Sequence, residues 1–556
     1  MENTNREPAA DNQYDIIIIG SGMGALATAS LMARLRGKRV LVLERHYVFG
    51  GFTHEFRRKK FSWDVGIHYV GDMQEGGMLR RLFDIITRNG VSWKAMPDVF
   101  EKFVYPDFTF PVPSSEERYR AALIEKFPEE RDAIENYFED VKRVDAWFGR
   151  HNMKSARPFV DQVRQPCPIT GFENPDITTG QYFEKNFRDE KLRALLESQW
   201  GDYGIPPSRS AFIIHCSVVR HYLGGGFYPD GGAGTIAESV RPIIEEAGGR
   251  VLLSHEVDEI LVRDNRAIGV RVRNLTARKD QPVESEFYAP VIVSNAGAYA
   301  TYCRLLSDQV HIPFRTELQK FYSDYPVTTS VTLYVGLKDD PRKLGFHGEN
   351  HWIFASYDHD TAFSGDLTDT NTELRGAYLS FPSLKSSESR AHTAEIIALT
   401  SYEPFRKWEQ STWKRRGDEY ETLKESISEK LRAFVDDRYP GFRDLIAFDE
   451  LSTPLTVSYF TAHPRGSIYG VPSVRERFRS DLAPWCSAHT PIEGLYLTGA
   501  DASSPGIAGA LMGAMATVGQ IPDGISFIRV LKEAAALEQA PSDKRKVAAD
   551  LVGQKA

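Results

Sequence analysis

The stretch YDIIIIGSGMGALATASLMARLRGKRVLVLERH, residues 14–46, constrains the fold more than any other part of the chain. It predicts a buried apolar strand, a glycine turn, a helix of small residues and a second strand that ends in an acid, which together form a βαβ unit. Gly20 permits the tight turn, and Gly22 lets the backbone approach a pyrophosphate at the helix N-terminus. Glu44 is placed to accept hydrogen bonds from an adenosine ribose. The stretch therefore predicts dinucleotide binding, with a glycine turn in an ordinary α/β core as the alternative.

The residues after the second strand indicate which dinucleotide is bound. Gly50 and Gly51 follow Glu44 by six and seven positions and precede a β-rich segment, which resembles the extended nucleotide motif of flavoproteins more than that of nicotinamide enzymes. FAD is therefore the expected cofactor, bound without a covalent link. The other candidate cofactor-binding residues of this region are Met23, Gly24, Ala25 and Arg45.

Two later segments agree with a flavin site. Residues 224–262 predict a glycine loop, a helix from about Thr235 to Ala247, and strands around Val251 and Val257; we count Val257 among the cofactor-binding candidates. Residues 494–519, GLYLTGADASSPGIAGALMGAMATVG, predict a strand, an acid at Asp501, a Pro-Gly turn and a helix of very small side chains. A close-packed core helix is the alternative for this last element.

That last segment resembles the closing motif of FAD-dependent amine oxidases and carotenoid desaturases. The resemblance implies that Asp501 binds the ribityl chain and that the next helix points its N-terminus at the pyrimidine end of the isoalloxazine. A helix dipole there would stabilise an anionic reduced flavin. The candidate residues at this end are Gly499, Asp501, Ile507, Ala508 and Gly509.

Six stretches resemble one family, in that family's order. They are VLVLERHYVFGGFTHEFRRKKFSWDVGIHYVGD, GGGFYPDGGAGTIAESVRPIIEEAGG, VIVSNAGAYATY, RGDEYETLKESISEKL, STPLTVSYFTAHPRGSIYG and GLYLTGADASSPGIAGALMGA. The family is the retinol saturase branch of the carotenoid desaturase and isomerase superfamily. The resemblance covers most of residues 13–525 but is poor over about 85–205, and the N-terminal membrane-targeting segment of the animal enzymes has no counterpart. It implies a flavoprotein that acts on carbon–carbon double bonds of a long apolar polyene, most simply by saturation.

By the same resemblance, the stretch DVGIHYVG lies against the flavin, so Gly66, Ile67, His68 and Tyr69 become site candidates. Hydride transfer between a flavin and one alkene carbon requires a proton to move at the other carbon. His68 or Tyr69 could handle that proton, Tyr69 with His463 or Arg465 as its hydrogen-bond partner. The alternative is that Tyr69 is a pocket wall and His68 a structural histidine.

Composition limits the partners and the compartment. The chain has 68 Lys and Arg residues, 76 Asp and Glu residues and a net charge of −8, so it offers no extended basic surface for nucleic acid. Four widely spaced cysteines indicate a reducing compartment, without a disulfide framework. The polar N-terminus predicts neither a cleaved signal nor a membrane span, so we expect a cytoplasmic protein. Peripheral contact with a membrane and the oligomeric state stay open.

The predicted fold class is α/β, a flavoprotein of the two-dinucleotide-binding-domain type with a Rossmann-like FAD domain and a discontinuous α+β substrate domain. The FAD domain is assembled from residues 1–85, 206–300 and 450–530, the substrate domain from 86–205 and 301–449, and 531–556 form a polar tail. Residues 115–150 show the apolar spacing of cap helices. The apolar segment RSAFIIHCSVVRHYLGGG is a candidate lining for a lipid tunnel. Its two histidines, His215 and His221, lie on different helix faces, so we expect no metal site.

Four functions other than saturation are alternatives at this stage. Desaturation or redox-neutral isomerisation of a polyene would use the same site. A non-catalytic lipid-binding protein of the GDP-dissociation-inhibitor type would share the fold without a working flavin. An amine or amino-acid oxidase is disfavoured by the family signature. No second glycine fingerprint for a nicotinamide cofactor is visible, so the electron donor is open as well.

Overall fold

The computed structural model describes residues 12–154, 167–278, 282–325, 327–363, 366–369, 371–479 and 482–539. Its helices, in chain order, are α1 Met23–Arg36, α2 Met78–Thr87, α3 Glu116–Lys126, α4 Arg131–Lys154, α5 Thr179–Asn186, α6 Glu190–Glu197, α7 Phe212–Tyr222, α8 Gly234–Glu246, α9 Ala298–Ala300, α10 Arg315–Asp324, α11 His359–Phe363, α12 Pro382–Lys385, α13 Asp418–Arg438, α14 Pro454–Thr461, α15 Gly506–Gln520 and α16 Phe527–Glu538.

Its strands, in the same order, are β1 Ile16–Ile19, β2 Val40–Glu44, β3 Glu55–Arg58, β4 Phe61–Asp64, β5 Trp93–Ala95, β6 Val99–Val104, β7 Thr109–Pro113, β8 Phe227–Pro229, β9 Arg250–Leu253, β10 His255–Arg263, β11 Arg266–Asn274, β12 Glu284–Tyr288, β13 Val291–Ser294, β14 Thr329–Leu337, β15 Asn350–Phe354, β16 Gly376–Ser380, β17 Thr393–Thr400, β18 Ile446–Ser452 and β19 Leu495–Leu497.

A five-stranded parallel sheet in the order β19-β13-β1-β2-β9 forms one half of the structure and contains the βαβ unit. Every residue of β1 and β2 is buried, as expected for a parallel sheet that is covered on both faces. Helix α1 packs against α15 and α8 over this sheet. Because all five strands run the same way, their carboxyl ends meet at one edge, which gathers Gly20, Glu44 and Asn295. The predicted Rossmann-like α/β class is confirmed.

A seven-stranded mixed sheet in the order β18-β14-β17-β16-β15-β6-β7 forms the other half. Strands β6 and β7 come from the first predicted substrate segment and join strands of the second through the parallel β6–β15 pair. Strand β14 is buried along its whole length. A smaller antiparallel sheet, β10-β11-β12, adjoins the parallel sheet. The division of the chain into two discontinuous domains stays a prediction, with which this shared sheet agrees.

The helical segments differ in part from expectation. The cap helices predicted over 115–150 are confirmed as α3 and α4, and the aromatic residues Tyr182, Phe183, Phe187 and Trp200 are buried as predicted. The tunnel lining predicted for α7 is wrong, because α7 packs into the apolar core beside α4 instead of facing a cavity. Helix α16 continues to Glu538, so the first part of the predicted tail is helical. Residues 540–556 lie outside the described residues.

His215 and His221 of α7 have structural partners. His215 is buried, with its Nε2 2.8 Å from the hydroxyl of Tyr137, and His221 Nε2 accepts a hydrogen bond from the amide of Gly71 at 2.8 Å. In the described ranges, no group of three or more His, Cys, Asp or Glu side chains has metal-binding geometry.

Over the same ranges, no helix combines the length and apolarity that crossing a bilayer requires.

Candidate active site

A cavity of about 640 Å³ runs between the parallel sheet and the seven-stranded sheet. Its first end is formed by the βαβ turn, Glu44 and Val257. Its far end is formed by the seven-stranded sheet, with side chains from four neighbouring strands: Thr332 and Tyr334, Ile397 and Leu399, Tyr378, and Trp352. One continuous space therefore joins the predicted dinucleotide site to an aromatic and aliphatic chamber.

The mouth of the cavity carries aromatic and basic side chains. Tyr47, Trp413 and Phe460 line it together with Lys414. Trp413 stacks on Tyr459 with ring centroids 5.3 Å apart, and Tyr47 is 54% exposed. Aromatic rings of this kind suit an apolar ligand that enters from outside. Peripheral contact with a membrane stays a prediction.

The βαβ turn has the geometry that phosphate binding needs. Gly20 has a φ of +87°, which few residues other than glycine adopt, and no side chain caps the N-terminus of α1 at Gly22. The first amide groups of α1 therefore stay available to an anion at the cavity wall. A Cβ on Gly22 would lie 2.7 Å from Nδ2 of Asn295, so a larger residue would require that side chain to move.

Glu44 is buried at the end of β2 and faces the cavity. Its Oε2 accepts hydrogen bonds from the amide and the hydroxyl of Ser21 at 2.9 and 2.6 Å, and its Oε1 accepts one from the amide of His46 at 2.7 Å. Burial raises the pKa of this carboxyl, and the hydrogen bonds from Ser21 and His46 oppose the rise. These bonds fix the carboxyl beside the βαβ turn.

Asp501 lies at the first end of the cavity, across from Glu44, and connects two loops there through hydrogen bonds. Its Oδ2 accepts a hydrogen bond from the amide of Ala298 and its Oδ1 one from the amide of Val471, both at 2.8 Å. The Arg477 guanidinium bonds the carbonyls of Val471 and Ala500. Helix α15 begins next to this carboxyl without a side-chain cap, which leaves a second helix N-terminus facing the cavity.

Most of the predicted site residues lie on the cavity wall. Those that line it are Gly20, Gly22, Met23, Glu44, Arg45, Gly51, Gly66, Ile67, His68, Val257, Asp501 and Ile507. Those that stand behind the lining are Gly24, Ala25, Gly50, Tyr69, Gly499 and Ala508. Gly24 and Gly499 are in close backbone contact, so both serve the packing of α1 against β19 and its following loop. Their assignment to cofactor binding or catalysis stays a prediction.

His68 belongs to a buried cluster of charged groups. Its Nδ1 lies 2.8 Å from Oε2 of Glu395, a residue of β17 that has no exposed surface. Lys385 Nζ donates to the carbonyl of His68 at 2.7 Å and to Oδ1 of Asn350 and Oγ of Ser380 at 2.6 and 2.7 Å. Burial and the Lys385 charge lower the pKa of His68 to about 4, so its imidazole is neutral at neutral pH.

Tyr69 has different partners from those predicted. The sequence suggested His463 or Arg465, but the Tyr69 hydroxyl bonds Glu101 and Asp202 instead. His463 bonds the carbonyl of Ser467, and Arg465 bonds the carbonyl of Tyr322. His463 is thus bonded within the loop after α14 and Arg465 to α10, and neither side chain bonds the phenol.

The site contains residues that the sequence did not single out. Asn295 follows β13 and lies against the glycine turn, while Asp202, Glu395 and Lys385 surround the His68–Tyr69 pair. The only sequence signal for Asp202 was its place between two glycines in WGDYG, and for Asn295 its place after the apolar strand VIVS.

The Glu395 carboxyl makes the stability of the protein pH-dependent. Burial raises its pKa from 4.5 to about 8. The folded protein thus keeps a proton that the unfolded chain has released, and the free energy of unfolding should fall as pH rises from 6.5 to 8. His68 does not mask this fall, because its pKa is about 4 when folded and 6.5 when unfolded. We expect the free energy of unfolding of Glu395→Gln, measured by urea titration at each pH, to fall less over this range than that of the wild type.

The matched control is Glu190→Gln on α6, where the side chain is 85% exposed. This change should leave the slope of the unfolding free energy against pH as it is in the wild type. An equal slope in the wild type and in Glu395→Gln would contradict the burial of a protonated carboxyl at this position.

Comparison with known proteins identifies the fold and the relatives. Residues 18–86 match the family described as an NAD(P)-binding Rossmann-like domain. Cyclohexylamine oxidase from Brevibacterium oxydans aligns with a TM-score of 0.56 at 13% identity, over 94% of this chain and 98% of that one. At this identity the alignment supports the fold alone.

Three sequence relatives cover most of the chain. All-trans-retinol 13,14-reductase of Danio rerio is 32% identical over 523 residues, 90% of this chain and 84% of that protein. An inactive all-trans-retinol 13,14-reductase of Danio rerio is 27% identical over 551 residues, 94% of this chain and 87% of that protein. Prolycopene isomerase 2 of an Oncidium hybrid cultivar is 26% identical over 521 residues, 90% and 83% of the two chains. The chain thus belongs to the all-trans-retinol 13,14-reductase family, the retinol saturase branch of the carotenoid desaturase and isomerase superfamily.

Proposed function

We propose that the chain binds FAD along the first end of the cavity. Two uncapped helix N-termini, at Gly22 and Pro505, face this space, and the buried carboxyls of Glu44 and Asp501 stand at its two sides. Glu44 would accept hydrogen bonds from the ribose hydroxyls, and the amides of α1 would donate hydrogen bonds to the pyrophosphate. Asp501 would accept hydrogen bonds from the hydroxyls of the ribityl chain. FAD, when bound, supplies two-electron hydride chemistry. The close-fitting glycines and the two carboxyls fit this cofactor.

We propose further that the chain saturates one double bond of a long apolar polyene. The single observation that carries this proposal is the continuity of the cavity, which joins the dinucleotide site to a chamber walled by the seven-stranded sheet. Aromatic and aliphatic side chains such as Tyr334, Leu399 and Trp352 line this chamber. Such a wall favours a flat, apolar, conjugated chain and excludes water from it. The reaction named for the 32% identical Danio rerio relative, 13,14-reduction of all-trans-retinol, is of this class.

The chain's own residues bind and orient the substrate in this proposal. The neutral imidazole of His68 and the ring of Tyr378 stand close together, with centroids 5.4 Å apart, and both line the cavity. Lys385 holds the backbone of His68 in place through its hydrogen bond to that carbonyl. These groups fix the position of the polyene without placing a charge against it.

The test is the mass of the product. Purified protein is reduced chemically without oxygen and incubated in turn with a retinoid, a carotenoid and a polyunsaturated fatty acid. We expect at least one of these to gain two hydrogens. Unchanged mass with altered chromatographic retention would identify an isomerase, and no change with any substrate would contradict the proposed function.

A further inference from the structure

The hydroxyl of Tyr69 lies between two carboxyl groups. Its oxygen is 2.8 Å from Oδ2 of Asp202 and 2.9 Å from Oε1 of Glu101. A phenol has one proton to donate, so it can satisfy only one ionised carboxylate. The second contact is a hydrogen bond only if that carboxyl carries a proton of its own. The geometry therefore requires one proton on the Asp202–Glu101 pair.

The other contacts of the pair show where this proton resides. Glu101 also accepts hydrogen bonds from the indole N–H of Trp352 and, at 2.9 Å, from the side-chain Nε2 of Gln199. Such donors stabilise an ionised carboxylate. Within the described part of the chain, Asp202 has Tyr69 as its one hydrogen-bond partner. Burial, and then the charge of Glu101, raise the pKa of Asp202 well above its ordinary range. Asp202 is therefore the protonated member.

The two carboxyls also differ in their access to the cavity. Glu101 is wholly buried and stands behind the lining, whereas Asp202 lines the cavity beside Trp352 and Tyr378. The ring of Tyr378 lies 5.4 Å from that of His68 and 6.4 Å from that of Tyr69, measured between centroids. The protonated carboxyl thus faces the same chamber as His68.

We propose that Asp202 is the acid that gives a proton to the substrate double bond, and that Tyr69 and Glu101 are positioning residues that keep it protonated and oriented. This proposal rests on the proposed saturation. It assigns to Asp202 the proton transfer that the sequence suggested for His68 or Tyr69.

The proton and electron balance is that of a saturation. The O–H bond of Asp202 breaks and a C–H bond forms at one carbon of the double bond. A reduced flavin bound at the first end of the cavity would supply the hydride, with its two electrons, to the other carbon. Asp202 is left as a carboxylate that accepts the Tyr69 hydrogen bond. It regains a proton from water that enters by the cavity mouth when the product leaves.

The pH dependence follows from the groups around Asp202. The titratable side chains that face it are Glu101, Tyr69, Tyr203, Tyr222, Tyr378 and Tyr469. None of them carries a positive charge that would stabilise an ionised Asp202, and the hydrogen bonds from Tyr69, Trp352 and Gln199 oppose the rise that burial causes in the pKa of Glu101. Asp202 keeps its proton at neutral pH and loses it as pH rises. The rate of saturation should therefore fall on the alkaline side.

The test compares Asp202→Asn with the wild type, both loaded with flavin and studied without oxygen. General-acid assistance is typically worth about a hundredfold to ten-thousandfold, so single-turnover reduction of the polyene should slow by at least about a hundredfold. The flavin absorbance and the affinity for the polyene should stay near those of the wild type. The variant should also lose the alkaline fall of the rate, because its amide does not titrate in that range.

A second readout does not depend on turnover. The infrared difference spectrum between the wild type and Asp202→Asn should contain the carbonyl stretch of a protonated carboxyl at neutral pH. The control is Glu197→Gln, a half-buried carboxyl whose pKa is raised to about 8 by desolvation but which does not line the cavity. The infrared spectrum of Glu197→Gln should lose the band of a protonated carboxyl, while the rate of polyene reduction should equal that of the wild type.

A further pair of variants tests the assignment even if Asp202→Asn misfolds. The side chains introduced by Asp202→Glu and Asp202→Gln have the same length, but only glutamate is an acid. Asp202→Glu should therefore reduce the polyene at least about tenfold faster than Asp202→Gln. A wild-type rate in Asp202→Asn, or no protonated-carboxyl band assigned to Asp202, would overturn the acid assignment. A wild-type protein that leaves the polyene unchanged would instead overturn the proposed saturation itself, and the proton-donor role with it.

Discussion

Glu44→Ala should bind FAD about tenfold to 150-fold more weakly than the wild type. Hydrogen bonds to a charged group are worth about 1.5–3 kcal/mol, which converts to that range of affinity. The carboxyl is buried on the cavity wall and already oriented by Ser21 and His46, so its loss removes a preformed acceptor. The measurement is the flavin released by acid per mole of purified protein, followed by titration of the flavin-free protein with FAD.

The control for this change is Glu286→Ala. Glu286 lies on β12 of the smaller antiparallel sheet, forms an ion pair with Arg271 and does not line the cavity. It should retain the wild-type amount of flavin. If Glu44→Ala also retained a full complement of flavin with an unchanged dissociation constant, Glu44 would have no place in the cofactor site. Flavin that stays with the acid-precipitated protein would exclude non-covalent binding.

Gly24→Ala should lower the free energy of unfolding by about 1–3 kcal/mol, the usual cost of overpacking a close-packed contact. A Cβ at this position would lie 2.4 Å from both Cα and N of Gly499 and 2.7 Å from Oδ1 of Asn295. Two of these three atoms belong to the backbone, so a side-chain rotation cannot relieve the clash. The measurement is urea unfolding of the flavin-loaded protein.

The matched control is Gly149→Ala in α4, where an added Cβ would have no atom within 4 Å beyond its chain neighbours and the adjacent backbone of α4. An alanine in a helix interior should stabilise the protein by roughly 0.5–1 kcal/mol relative to glycine. The two changes are chemically identical and are expected to have opposite signs. A neutral or stabilising Gly24→Ala would show that α1 and the Gly499 loop are not in close contact.

The parts of the site that are local in sequence could be predicted from it. Gly20, Gly22 and Glu44 lie within one βαβ unit, where the spacing of a strand, a turn and a helix determines their relative positions. Asp501 and Ile507 could be placed in the same way from their strand, turn and helix. Each of these five residues lines the cavity.

The partners of the His68–Tyr69 pair could not be predicted, because they come from distant parts of the chain. Asp202 is 133 positions from Tyr69, and Glu101 reaches the same hydroxyl from β6. Glu395 meets His68 from β17 of the seven-stranded sheet. No periodicity within one segment records which strands of a mixed sheet become neighbours. The error over α7 has a related cause, since an apolar segment can pack in a core as well as line a tunnel.

We propose that one cavity couples FAD to the saturation of a polyene. The most direct test of this proposal is a single turnover without oxygen, in which the chemically reduced protein is mixed with the polyene that gained two hydrogens in the product assay. The return of oxidised-flavin absorbance and the amount of saturated product are measured together. We expect one mole of saturated product for each mole of flavin reoxidised. Reoxidation without saturated product, or product without reoxidation, would contradict it.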